Sequence, residues 1–176
     1  MFVLKKYDCY HGTGLKNYQE IVECGSFTFR PRKNHWLGGG VYFFVDDIAK
    51  AMWWARSNRP DKGTPPLVLK VEIEFDIDEL LNLDYEEDLK NLNEFAEALL
   101  VALNANKAQL KDVDLHEWQC KLLEAFLSKN TQYSGICRTF ETTQEKGASG
   151  FQGLAKQLCI RDVSKIPISG IEQIAV

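Results

Sequence analysis

Hydrophobic and polar positions change period several times along the chain, and each change marks an element. Residues 67–75, LVLKVEIEF, alternate apolar and polar side chains and are rich in β-branched residues. That pattern predicts a strand with one buried face. Residues 6–10 and the run VYFFV at 41–45 read as two further strands, and 26–30, 136–140 and 158–160 as shorter ones. Period-3.6 patterning predicts helices. One spans 15–24, with Tyr18, Ile21 and Val22 on one face and Gly25 at its C-terminal stop. Asp46 is the expected N-cap of another, reaching Ala55. Leu89, Leu92, Phe95, Leu99 and Leu103 form one stripe over 86–104. Asp114 with Glu117 predicts a capping box that opens a last helix, whose buried face is Leu115, Trp118, Leu122 and Phe126. Residues 31–40, 59–66 and 144–153 read as loops. Strands at both ends with a helical pair between them predict an α+β fold, and no βαβ rhythm supports a doubly wound parallel sheet.

Composition narrows this reading. A chain of 176 residues with 45% hydrophobic and 26% charged side chains is long enough for one well-formed core, so a single domain over 1–176 is expected. No apolar run reaches the roughly 18 residues of a membrane span, and the N-terminal residues lack the order of a secretory signal. Cys9, Cys24, Cys120, Cys137 and Cys159 are odd in number and show no CxxC spacing. Reduced, mostly buried thiols in a cytoplasmic protein are expected, with neither a disulfide framework nor a metal site. The net charge of −4 conceals a strong division: +5 over 1–70, −10 over 71–130 and +1 over 131–176. An anion site is therefore expected in the terminal parts.

Three segments carry candidate chemistry: YHGT at 10–13, WLGGGVYFF at 36–44 and AKQLCIRD at 155–162. A histidine at a strand end can hydrogen-bond a ligand hydroxyl, and a bare Gly12 leaves backbone groups open to a planar amide. Three glycines before an aromatic strand permit close backbone approach. Tyr42 on the strand and Trp53 on the following helix are placed to sandwich a flat ring. The plainer reading of each is a satisfied polar histidine and an aromatic core. No GxGxxG or GxxxxGK[ST] is present, so Rossmann and P-loop nucleotide binding are not indicated.

The order and spacing of these segments resembles the NAD-binding half of the ADP-ribosyltransferase fold, in its diphtheria-toxin-like and poly-ADP-ribose-polymerase-like branch. It is most similar to a bacterial variant with His-Tyr-Gln in place of His-Tyr-Glu. The likeness covers about 10–55 and 153–166. It implies split antiparallel sheets around an NAD cleft. The helical middle, an insertion of about 84–130, lies outside the likeness and reads as an acidic piece apart from the NAD contacts, concerned with acceptor choice or a partner. The likeness implies that His11 bonds the adenosine-side ribose, that Gly12 pairs with the nicotinamide amide with Thr13 nearby, and that Tyr42 and Trp53 stack on the ring. Gly40 and Phe43 flank Tyr42, and Arg30 and Arg32 are the implied diphosphate contacts. Gln157 takes the place of the catalytic glutamate and, being neutral, adds no full charge to the site. Glu141 and Glu145, just upstream, are candidates to supply a carboxylate on the acceptor side, and the plainer reading of both is solvent-facing loop acids.

The implied activity is mono-ADP-ribosyl transfer from NAD, used as a substrate without a metal, to a protein or nucleic-acid acceptor. NAD hydrolysis, NAD or ADP-ribose binding without catalysis, and RNA 2′-phosphate transfer are the alternatives. The resemblance fits a toxin, a defence factor or a housekeeping modifier, and leaves room for an inhibitory partner protein.

Overall fold

The computed structural model describes residues 3–176 apart from 34, 60, 105–112, 143–147, 150 and 151. Over these residues the chain is α+β, a mixed seven-stranded sheet with four α-helices. Its strands are β1 (Leu4–Gly14), β2 (Val41–Val45), β3 (Pro66–Asp76), β4 (Leu80–Asn82), β5 (Gly135–Glu141), β6 (Leu154–Ile160) and β7 (Glu172–Ala175). Its helices are α1 (Leu15–Cys24), α2 (Ile48–Ser57), α3 (Glu86–Ala102) and α4 (Leu115–Lys129). The strand order is β4-β5-β6-β2-β1-β3-β7. Every neighbouring pair is antiparallel except β4 and β5, which are parallel.

The alternation in β3 explains how the sheet is layered. Leu69, Val71, Ile73 and Phe75 are buried on one face, with Tyr7 and Cys9 of β1, Phe43 of β2 and Leu158 of β6. Ile21 of α1, Phe27 and Ile166 cover that face. On the opposite face, Ala51 and Ala55 of α2 pack on Val68, near one end of β1 and β3. Leu92 of α3 and Leu122, Leu123 and Phe126 of α4 pack on Ile136 and Cys159 of β5 and β6. Two separate helical layers therefore share one face of the sheet, and Glu72 and Glu74 stay exposed where neither reaches.

Local chemistry sets several boundaries. Gly25 ends α1 at a left-handed φ of 66°, which costs glycine nothing. Asp114 caps α4 by accepting from Glu117 N at 2.8 Å, as the capping box predicts. The cap of α2 is Asp47, which accepts from Lys50 N at 3.0 Å, and not Asp46. Asp46 takes a left-handed φ of 56° and donates its N–H to Asp8 C=O, so it turns the chain at the end of the β1–β2 ladder. Residues 26–30 form no strand: Phe27 alone is anchored in the core, and 28–30 are exposed. The short strands β4 and β7 carry too little pattern to be read from the sequence. No described helix is long and apolar enough to cross a membrane.

Gly12 is where α2 meets the sheet. A Cβ there would lie 2.3 Å from Ala51 O and 2.8 Å from Ala55 N, both backbone atoms. Gly12→Ala is expected to push α2 off the sheet and cost about 3 kcal/mol, whereas Gly25→Ala, with open space around it, costs about 1 kcal/mol from its φ alone. Thermal melts of the two variants check this: Gly12→Ala should show much the larger loss of Tm.

Candidate functional site

β1 and β2 run side by side for a short distance and then part. Their registered pairs are Cys9 with Val45 and Tyr10 with Phe44. In an antiparallel ladder, a residue's N–H and C=O point to the same side, and the side alternates along the strand. Asp8 C=O accepts from Asp46 N, so the even residues of β1 address β2. The next rung would join Gly12 to Tyr42. It is replaced by a side chain: His11 Nδ1–H donates to Tyr42 C=O at 2.8 Å. The imidazole is wedged between the strands and braced by Phe27 (5.5 Å, edge-on) and Phe43 (5.4 Å). Gly12 consequently has no β2 residue registered opposite it, and it is buried beneath α2.

This bond also fixes the chemistry of the ring. A carbonyl only accepts, so Nδ1 carries the proton. Burial lowers the His11 pKa, outweighing the raising effect of the bond to Tyr42. The neutral ring therefore offers Nε2 as an acceptor. It would accept from a ribose hydroxyl, and not donate to one.

Tyr42 lies on the other face of the sheet. Its hydroxyl donates to Gly38 C=O at 2.7 Å and accepts from Leu37 N at 2.9 Å, and its ring meets His35 edge-on. Burial raises the Tyr42 pKa far above the ordinary tyrosine value, so the hydroxyl stays protonated. Gln157 is half-buried on that same face, registered between Phe44 of β2 and Arg138 of β5. It stands between the two helical layers, since Phe44 packs with the α2 cluster and Arg138 lines the space under α3 and α4. Among the described residues its side-chain amide has no hydrogen-bond partner.

The remaining expected residues are dispersed. Thr13 is buried, and its hydroxyl accepts from Asn17 Nδ2 at 2.7 Å. Phe43 is a core residue. Trp53 is 56% exposed, and its described ring contact is with Trp54, 6.4 Å away, and not with Tyr42. Arg30 and Arg32 lie on the exposed loop before β2. Glu141 is exposed at the end of β5, and Glu145 lies outside the described residues. Gly40 permits contact with β6, since a Cβ there would meet Cys159 Sγ at 2.5 Å and Ile160 O at 2.6 Å. Burial pushes the Cys159 thiol up to about 12, so it acts as packing.

Sequence reasoning missed a clamp on the glycine loop. Arg161 and Glu124 form a bidentate pair at 2.7 and 2.9 Å. Glu124 also accepts from Gly39 N at 2.7 Å, and Arg161 donates to Gly39 C=O at 3.1 Å. Hydrogen bonds from Arg161 hold the Glu124 carboxyl below its ordinary pKa. Arg161 sits in the QLCIR run already singled out, but Glu124 belongs to α4, inside the acidic block expected to lie away from the site. Only a folded chain places it beside Gly39, 85 residues earlier.

No family model matches the chain, and no solved structure matches it. A curated protein of the archaeon Methanocaldococcus jannaschii, described as uncharacterized, is 32% identical over 66 residues, which is 36% of this chain and 31% of that protein. The chain thus matches about a third of that relative's length.

Two measurements test this geometry. A double-mutant cycle between Glu124→Gln and Arg161→Gln should give a coupling of about 1 kcal/mol, because the pair is bidentate but partly open to water. The second uses pH. His11 and His35 both have folded pKa values lowered by burial. Their contribution to stability is complete above the unfolded value of about 6.5 and falls as pH drops through it. Denaturant unfolding should show lower stability at pH 5.5 than at 7.5, with a shallower slope in His11→Gln.

Proposed function

We propose that the chain is an NAD-dependent mono-ADP-ribosyltransferase on an ADP-ribosyltransferase-like fold. The observation that carries this reading is the parting of β1 and β2 at His11. With no β2 residue registered opposite Gly12, its N–H and C=O would match the C=O and NH2 of a carboxamide, as nicotinamide presents them. Beside them, His11 Nε2 is an acceptor for a ribose hydroxyl. Tyr42 and Gln157 lie on the other face of the sheet, Tyr42 on β2 and Gln157 on β6 beside it.

The residues would divide the work as follows. Gly12 holds the leaving group by its amide, and His11 fixes a ribose. Tyr42, itself fixed by the glycine loop, supplies an aromatic wall. The Gln157 amide oxygen accepts from a ribose hydroxyl and presents a fixed dipole to the positive charge that develops as the C–N bond breaks. The substrate's remaining ribose carbon is then open to an acceptor.

The neutrality of Gln157 favours a second reading, in which NAD is bound without turnover. Nicotinamide release from NAD, measured with and without cell extract, separates the two. Transfer predicts release that rises with extract. His11→Ala should weaken NAD binding, and Gln157→Ala should lower turnover about tenfold, the worth of one good hydrogen bond. Gln157→Glu should raise turnover. Tight NAD binding with no nicotinamide from any of these proteins would establish the binding-only reading, and variants indistinguishable from wild type would overturn the site.

A further inference from the structure

A concavity of about 600 Å3 lies between α3, α4 and β5 on the face of the sheet that carries Gln157. That is the volume of a small-molecule pocket. One wall is aromatic, formed by Trp36, Trp118 and Phe140, and the facing wall is the Leu92 and Ala96 side of α3. The aromatic wall is preorganised: Trp36 stacks on His116 at 4.8 Å and 14° and leans on Phe140 at 4.8 Å. Well-packed layers do not normally leave such space between them.

Two polar groups on its lining are left wanting. The Gln119 amide oxygen is buried with no hydrogen-bond partner among the described residues. Arg138 donates from one nitrogen to Leu83 C=O, and a guanidinium has five N–H groups. An occupant that offers one oxygen with a proton would satisfy both, accepting from Arg138 and donating to Gln119. Along α3, the adjoining groove carries Glu86, Glu94 and Glu97 against one cation, Lys90, and is net acidic. Those carboxylates disfavour a polyanion, and with it a nucleic-acid strand.

We propose that this cavity binds an uncharged planar small molecule bearing a hydroxyl, and that the molecule is the acceptor substrate. The acceptor role rests on the function proposed above. It follows from register: Arg138 is paired across the ladder with Gln157, so an oxygen held by Arg138 belongs to the strand next to Gln157. In the transfer, the acceptor oxygen bonds to the ribose C1′ as the C1′–N bond breaks. The electron pair of that bond leaves with nicotinamide and neutralises its ring, and the hydroxyl proton passes to solvent.

The probe is 2-naphthol, used with the full chain. Titration without NAD, followed by tryptophan fluorescence, should give saturable one-to-one binding. Ala96→Trp and Asn93→Trp, which fill the cavity from α3, should each weaken it at least tenfold, and Arg138→Leu should weaken it several-fold. Circular dichroism melts identify any variant that fails to fold, and two independent filling variants keep the test decisive. No saturable binding, or equal binding by the folded filling variants, overturns the site. With NAD present, 2-naphthol should increase nicotinamide release in wild type and not in the filling variants. Release that ignores bound naphthol overturns the acceptor role. Absence of any release, with naphthol binding intact, overturns the transferase reading and this acceptor role while leaving the cavity as a binding site.

Discussion

A single hydrogen bond, from the His11 ring to Tyr42 C=O, substitutes for a rung of the β1–β2 ladder, and the candidate site is organised around that substitution. Had Gly12 paired with Tyr42 in the ordinary way, its N–H and C=O would be spent on the sheet. A side chain that bonds the strand across the gap satisfies the Tyr42 carbonyl and leaves Gly12 outside the β1–β2 register. The arrangement needs a neutral ring with its proton on Nδ1, which burial among Phe27 and Phe43 supplies. It also needs strands that cannot close up. Gly12 is pressed by α2 on one face, and its partner strand β2 is tied to β6 on the far side.

Tyr42, on the other face of the sheet, is fixed from a distance. Tyr42 is held through its hydroxyl by residues 37 and 38, and that loop is in turn clamped at Gly39 by Glu124 and Arg161. The clamp draws on an early loop, the middle helix α4 and the end of β6. The acidic middle of the chain is therefore not a detached insertion. It supplies the carboxylate that positions the glycine loop, and with α3 it roofs the cavity beside Gln157. The same helices that give the middle its charge of −10 place an apolar wall inward and carboxylates outward, the usual division for amphipathic helices on a sheet.

Much of the secondary structure was legible. The strand at 41–45, the helix at 15–24 with its Gly25 stop, and the Asp114 cap all follow from period and from capping chemistry. Errors fell where local signals competed. Asp46 and Asp47 are adjacent capping residues by type, and only the turn after β2 decides that the first takes a left-handed φ while the second caps. The run SFTFR at 26–30 suggested a strand, yet Phe27 serves as a single anchor under His11. Likewise Trp53 was expected on a ring, but its place on α2 leaves it largely exposed.

The sequence by itself determined the α+β class, most element boundaries and the three segments that carry the candidate chemistry, because period, capping and glycine requirements are local. The tertiary structure decided what those residues can do. It set His11 and Gln157 on alternate faces, turned Thr13 and Phe43 into structural residues, recruited Glu124 from the middle of the chain and left a cavity beside Arg138. These outcomes depend on which strand lies beside which, and on where β1 and β2 part. Such pairings are fixed by contacts between residues far apart in the chain, which no local pattern records.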